Sequence, residues 1–102
     1  MRPWGSATTI LENTSYRIRM LEIQPDKSLS LQSHQQRCEH WVVLEGKADL
    51  QRGDEKVILQ KNESAFIPKG MRHRLGNSGI TTLQIIEVQQ GEYLGDDDIE
   101  RY

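Results

Sequence analysis

At 102 residues the chain has material for one domain and not for two. Hydrophobic residues make up 35% of it and charged residues 27%, a globular balance that excludes disorder. A net charge of -2 with both signs interspersed gives no footprint for nucleic acid, and no apolar run approaches the roughly 20 residues of a membrane span.

In chain order, Met1-Arg2-Pro3-Trp4-Gly5 lacks the apolar core of a signal peptide. Residues 1–14 read as an N-terminal arm that packs over the rest of the chain or over a partner, with Trp4 as its anchor. Tyr16 to Ile23 reads as a strand stopped by Pro25-Asp26. Leu29 to His34 alternates apolar and polar residues, and Glu39 to Leu44 is a compact run holding Trp41, Val42 and Val43. The lone cysteine, Cys38, allows no internal disulfide and fits a reducing cytoplasm.

Gly46 turns the chain into Lys47–Gln51, and Arg52-Gly53-Asp54 is a hairpin signal before Val57-Ile58-Leu59. Ala65 to Ile67, the turn Pro68-Lys69-Gly70, a short strand from His73 to Leu75, the turn Asn77-Ser78-Gly79 and a last strand from Thr81 to Gln89 follow. Such a series of short strands separated by turns predicts an all-β sandwich or barrel over residues 15–90. In the tail, residues 91–102, Asp96-Asp97-Asp98 is placed to open a short helical turn, because carboxylates favour a helix N-terminus.

The chemistry concentrates in two segments. In a strand, Gln32 and His34 lie two apart and project to the same side, and a turn through Gln35-Gln36-Arg37 brings Glu39 back opposite them. Pro68 and Gly70 fix a tight turn that delivers His73 at the start of another strand. Two imidazoles, a carboxylate and an amide oxygen suit one divalent ion, and zinc, manganese, iron, cobalt and nickel all fit such a set.

Glu39 to Gly46 and Pro68 to Asn77 resemble the two cupin motifs, with Gln32 where the first histidine normally stands and Asp26 and Asn62 at two turn-glycine positions. The resemblance narrows through Arg2–Ser6, Leu29–His34, Arg37–Val43, Ile67–Leu75, Ile86–Gln89 and Gly91–Ile99. These stretches are similar to type II mannose-6-phosphate isomerase, a family that often forms the C-terminal half of a bifunctional enzyme with a mannose-1-phosphate guanylyltransferase. In that family glutamine occupies the first ligand position. Gln35 and Gln36 depart from the family's histidines, and Gly76 from its glutamate.

The resemblance implies a single cupin barrel (a double-stranded β-helix, or jelly roll) interconverting mannose 6-phosphate and fructose 6-phosphate through an enediol, feeding GDP-mannose synthesis. Such chemistry needs a Lewis acid, a proton-shuttling base and cations for the phosphate. Arg37, in the turn between ligand segments, is the first phosphate and catalytic candidate, with Lys69 and Arg74 as further substrate contacts. Strand alternation points Arg74 away from the ligand face unless the strand is irregular there.

Leu83, Ile85 and Glu87 share one strand face. If it faces inward, Glu87 has a raised pKa and serves as base; if outward, it pairs with a surface arginine. His40 should face outward beside Glu39, and Trp41 and Phe66 read as core. A non-catalytic metal- or sugar-binding cupin is the alternative reading. A homodimer paired through exposed sheet edges, and a separate guanylyltransferase, are the expected protein partners.

Overall fold

The computed structural model describes residues 2–102. These form an all-β fold of two antiparallel sheets facing each other across one interior. One sheet has the order β1-β2-β10-β5-β8, built from Gly5–Glu12, Tyr16–Ile23, Leu83–Gly91, Arg37–Glu45 and Ser64–Ile67. The other runs β11-β4-β9-β6-β7, from Glu100–Arg101, Gln32–Ser33, His73–Asn77, Ala48–Arg52 and Glu55–Leu59, with the two-residue β3, Lys27–Ser28, also on β9.

The strands form where period-two alternation is clearest. In β2, Leu21 and Ile23 are buried while Ile18 and Met20 stay half-exposed on the outer face. β10 does the same with Leu83, Ile85, Glu87 and Gln89 buried. Leu21, Ile23, Trp41, Val43, Leu50, Leu59, Ile67, Leu75, Leu83 and Ile85 close into one core cluster. Full burial of side chains of this kind is worth roughly 1.5–3 kcal/mol each before conformational entropy is subtracted.

Asp26 and Asn62 have positive φ, 63° and 72°. They occupy the two positions where glycine was expected by motif, and both residue types tolerate the left-handed region better than most.

Three expectations are revised. The arm is in large part a strand: Gly5 to Glu12 pairs along β2, with a register shift around Ile10, and extends the first sheet to an edge. The stretch from Leu29 to His34 is strand only at Gln32–Ser33. Among the described residues there is no helix: Asp96 to Asp98 lies in a turn, and Glu100–Arg101 pairs with Ser33 and Gln32. The unpaired edge of β4 offers the residues after the acidic cluster backbone partners at once. No helix of the described residues is long and apolar enough to cross a membrane.

Candidate metal centre

At one end of the interior the inward rows of β2, β5 and β10 change from aliphatic to charged. His34, Glu39 and His73, all buried, converge there, with their ligand atoms within 4.8 Å of one another. His34 Nε2 lies 3.6 Å from Glu39 Oε2, and His73 Nε2 lies 3.7 Å from Glu39 Oε1. β5 carries Glu39, while β9 sets His73 opposite Gln32 of β4.

Gly70, at φ 78°, turns the Pro68-Lys69-Gly70 loop so that its N–H donates to the His34 carbonyl at 2.7 Å, tying both imidazole-bearing segments together. Gln32 Nε2 donates to the Ser30 carbonyl at 3.3 Å, so its oxygen is the acceptor it can offer.

The second contact of each ring fixes its tautomer. His34 Nδ1 lies 2.6 Å from the Asp98 carbonyl and His73 Nδ1 lies 3.1 Å from that of Met71, so each Nδ1 is a donor and each Nε2 turns a lone pair toward Glu39. Burial lowers both imidazoles, His34 to about 4, against the pull of the Asp98 carbonyl and with help from the Arg37 charge. Burial, followed by the charge of Glu87, pushes Glu39 up to about 8 despite Arg37.

Two neutral imidazole nitrogens and one carboxyl group are the donor set of a divalent cation, which would take the place of the proton that burial favours on Glu39. The positive charge lying on it in this structure is the Arg37 guanidinium, Nε 3.0 Å from Glu39 Oε2 and Nη2 3.2 Å from His34 Nε2. The cavity these groups enclose is about 20 Å³, room for an ion or a water and for nothing larger. The residues therefore fit the metal.

Glu87 faces inward, but its environment differs from the expected apolar one. Arg19 Nε donates to Oε1 at 2.7 Å, Gln89 Nε2 to the same oxygen at 2.8 Å, and Trp41 Nε1 to Oε2 at 3.2 Å. Burial pushes its pKa up, yet Arg19, then Arg37 and the Trp41 N–H outweigh it and hold the carboxyl below its usual range. The raised carboxyl in this pocket is Glu39.

Arg19 went unread because its strand looked like an ordinary alternating one. The signal was there: Arg17 and Arg19 occupy the same inward row as Leu21 and Ile23. Trp41 is core on one side only, since its ring meets His73 edge-on at 5.4 Å between centroids.

Arg37 is placed at the pocket as expected. Lys69 is exposed on its turn and lines neither the metal cavity nor the space in front of it. Arg74 is exposed on the outer face of its sheet, beside a separate cavity of about 660 Å³ that it shares with Lys56, Asp49 and Gly76. The strand is regular there, so His73 inward puts Arg74 outward.

His40 is also outward, 4.7 Å from the Phe66 ring, and Phe66 is 41% exposed rather than core. Gln35 and Gln36 are exposed, and their backbone N–H groups donate to the Asp98 carboxylate at 3.0 and 2.9 Å. These bonds outweigh partial burial and hold Asp98 below the usual range. Asp98 is a second missed residue: its carboxylate fixes the turn before Arg37 while its carbonyl orients His34.

The chain matches the family model described as "Mannose-6-phosphate isomerase C-terminal" over residues 1–102. It is 46% identical over 101 residues to the xanthan biosynthesis protein XanB of Xanthomonas campestris, covering 99% of this chain and 22% of that protein. It is equally similar, 46% over 101 residues, to a mannose-1-phosphate guanylyltransferase of Sinorhizobium fredii, covering 99% and 20%. The chain thus spans about a fifth of the length of these curated relatives.

Among solved structures, the protein TT1209 of Thermus thermophilus superposes with a TM-score of 0.83 at 18% identity, over 88% of this chain and 87% of that one. A cupin-superfamily sugar phosphate isomerase of Silicibacter pomeroyi gives 0.69 at 16% identity, over 74% and 50%. At those identities the likeness concerns the fold, a cupin barrel.

Proposed function

Because the chain belongs to the mannose-6-phosphate isomerase C-terminal family, we propose that it is a metal-dependent aldose-ketose isomerase acting on mannose 6-phosphate and fructose 6-phosphate. The observation that carries this reading is the convergence of two imidazole Nε2 atoms on one buried carboxylate beside a guanidinium. His34, Glu39 and His73, with the Gln32 oxygen, would hold one divalent ion. When bound, it supplies a Lewis acid for the oxygens at C1 and C2.

The chain's own groups account for the proton. From mannose 6-phosphate the C2 hydrogen leaves as a proton, its electron pair forms the C1–C2 double bond, and the carbonyl pair moves onto O1. O1 then takes up a proton as O2 gives one up, the O2 pair forms the C2 carbonyl, and the C1–C2 double-bond pair takes a proton at C1, which gives the ketose. Glu87 is the acceptor in this reading, because the Arg19 pair keeps it ionised. The three donors that do so also lower its proton affinity, a cost in basicity. Arg37, whose Nη2 lies 3.2 Å from His34 Nε2, sets a positive charge at the inner end of the pocket that favours the developing enediolate. Trp41, buried and edge-on to His73, forms part of the pocket wall.

The test is a coupled assay of mannose 6-phosphate conversion with zinc, manganese, iron, cobalt and nickel supplied in turn. Metal-stimulated turnover that His73→Ala abolishes is expected; no turnover with any metal removes the proposal and leaves a metal- or sugar-binding cupin. The reading includes a place before GDP-mannose synthesis, a second copy of the chain and a separate guanylyltransferase as partners. The printed name of the Sinorhizobium relative supports the last.

A further inference from the structure

The expected phosphate contacts Lys69 and Arg74 lie away from the metal pocket, which leaves open what holds the anionic end of a substrate. In front of the ion-sized inner cavity opens a second one of about 320 Å³, lined among others by Arg2, Trp4, Gln32, Arg37, Asp96 and Arg101. Arg37 and Gln32 line both cavities, so the outer one is the antechamber of the inner. Its volume is at the lower end of the range for small-molecule sites, roughly 300–1,000 Å³. A hexose phosphate cannot enter 20 Å³; only its reacting oxygens can meet that cavity, and the rest of it must lie in the outer one.

We propose that Arg2 and Arg101, set at this mouth from opposite ends of the sequence, form with Arg37 the subsite for the substrate's phosphate. This rests on the sugar-phosphate reading above and names the groups that would select for the phosphate.

Backbone geometry fixes both new residues. Arg101 of β11 is the cross-strand partner of Gln32 in β4, and directly paired residues present their side chains to the same face. Arg2 is held by a reciprocal pair of backbone hydrogen bonds with Gly5, at 2.7 and 3.0 Å, and its guanidinium lies 5.6 Å from the centroid of the Trp4 ring.

Charge then separates these two from the other arginines that line the cavity, Arg19 and Arg37. Arg37 is matched by Glu39, Arg19 by Glu87, and the antechamber's one carboxylate, Asp96, is engaged by Arg17 at 3.1 Å. Among the described residues, Arg2 and Arg101 have no carboxylate within 4 Å, and Arg37 Nη1 is buried with no acceptor. Two unmatched guanidinium groups and an orphaned N–H at one opening call for an anion with several acceptor oxygens, which a phosphate monoester provides.

The experiment measures binding directly, so that it does not depend on turnover. Mannose 6-phosphate, mannose and inorganic phosphate are titrated by calorimetry into the metal-loaded protein and into Arg2→Gln, Arg101→Gln and the double variant. Cobalt absorption read in parallel reports whether the inner pocket is intact. The protein should bind mannose 6-phosphate at least tenfold more tightly than mannose, with inorganic phosphate competing for the site.

Each single change should weaken mannose 6-phosphate by about tenfold and the double change by about a hundredfold, with mannose and cobalt affinities unchanged. Variants that bind mannose 6-phosphate as tightly as the unaltered protein, or an unaltered protein indifferent to the phosphate, overturn the subsite. Phosphate-dependent binding lost in the variants, but with no turnover under any metal, supports the subsite and overturns the isomerase. Turnover with KM unchanged in the double variant does the reverse.

Discussion

Two halves of one barrel interior, built from the same three strands, do different work. At one end Ile23 and Leu21 of β2 stand beside Leu83 and Ile85 of β10, with Val43 of β5 alongside, and the interior is aliphatic. Two residues further along the same rows come Arg19 against Glu87, then Arg17 against Gln89 and Gln89 against Glu39. Backbone geometry does not change at the boundary; only side-chain chemistry does. The charged half is tolerable because its ions are matched, Arg19 meeting Glu87 across the ladder and Arg37 meeting Glu39 along one strand. Trp41 sits at the boundary, with its ring in the core cluster and its N–H on Glu87. One half supplies stability, and the other spends part of it to hold polar groups out of water.

The comparison breaks most sharply where the charged half loses a ligand. His73→Ala, or Glu39→Gln, is expected to lower metal-stimulated isomerisation by a thousandfold or more, about 4 kcal/mol, while urea unfolding remains cooperative. Glu87→Ala strands Arg19 beside a buried void and should cost roughly 3–5 kcal/mol by urea denaturation. Glu87→Gln separates roles: a proton acceptor predicts a fall in kcat of a hundredfold or more, whereas a purely structural partner predicts a stability loss with kcat nearly intact.

In the aliphatic half, Ile85→Ala should cost about 2–5 kcal/mol in unfolding free energy yet leave cobalt affinity alone, because Ile85 belongs to the core cluster and does not line the inner cavity.

Acidity sharpens the contrast further. Below pH 6.5 the unfolded chain protonates histidines that the native pocket keeps neutral, His34 down to about 4, so the unfolded state binds more protons and stability falls as pH falls. Glu39 has the opposite sign: its native pKa near 8 exceeds the unfolded value, so the unfolded state loses its proton first and stability falls as pH rises from 4.5 toward 8.

Two histidines outweigh one carboxylate on the acid side, which puts the optimum of the metal-free protein near pH 6.5. Each pKa unit carries about 1.4 kcal/mol. A divalent ion favours the ionised carboxylate and should erase the alkaline decline. Urea midpoints from pH 4 to 9, with chelator and with manganese, read both arms. The smallest effect belongs to neither half: Asn62→Gly relieves a left-handed residue at φ 72° and should stabilise by under about 1 kcal/mol.

The convergence of His34, Glu39 and His73 was legible because cupin spacing is local: each motif spans about ten residues, and strand alternation converts spacing into facing. Gln32 as a fourth ligand was proposed from its place two residues before His34 and from family resemblance, since an amide has no signature of its own. Arg19 was hidden by habit, because a charged residue in an alternating strand is read as outward, and only its pairing with Glu87, 68 residues away, turns it in. Asp98 could not be read from its neighbours, as its partners Gln35 and Gln36 lie more than 60 residues back. β1 was taken for an arm because Ser6 to Leu11 has strand-forming residues but no clean alternation, as suits an edge strand with one face in solvent.

The two-residue strand β4 carries Gln32 and leads into His34, yet its pairing with β9 rests on a single register position. What clamps it from the other side is β11, with Tyr102 N–H on the Leu31 carbonyl at 3.0 Å and the Tyr102 hydroxyl 2.8 Å from Ser33 Oγ. Closing so long a loop is slow compared with forming a hairpin. The aliphatic rows through β10 can therefore be buried while β4 still lacks its clamp, and the strand that carries Gln32 is fastened only when residues 98–102 pair with it.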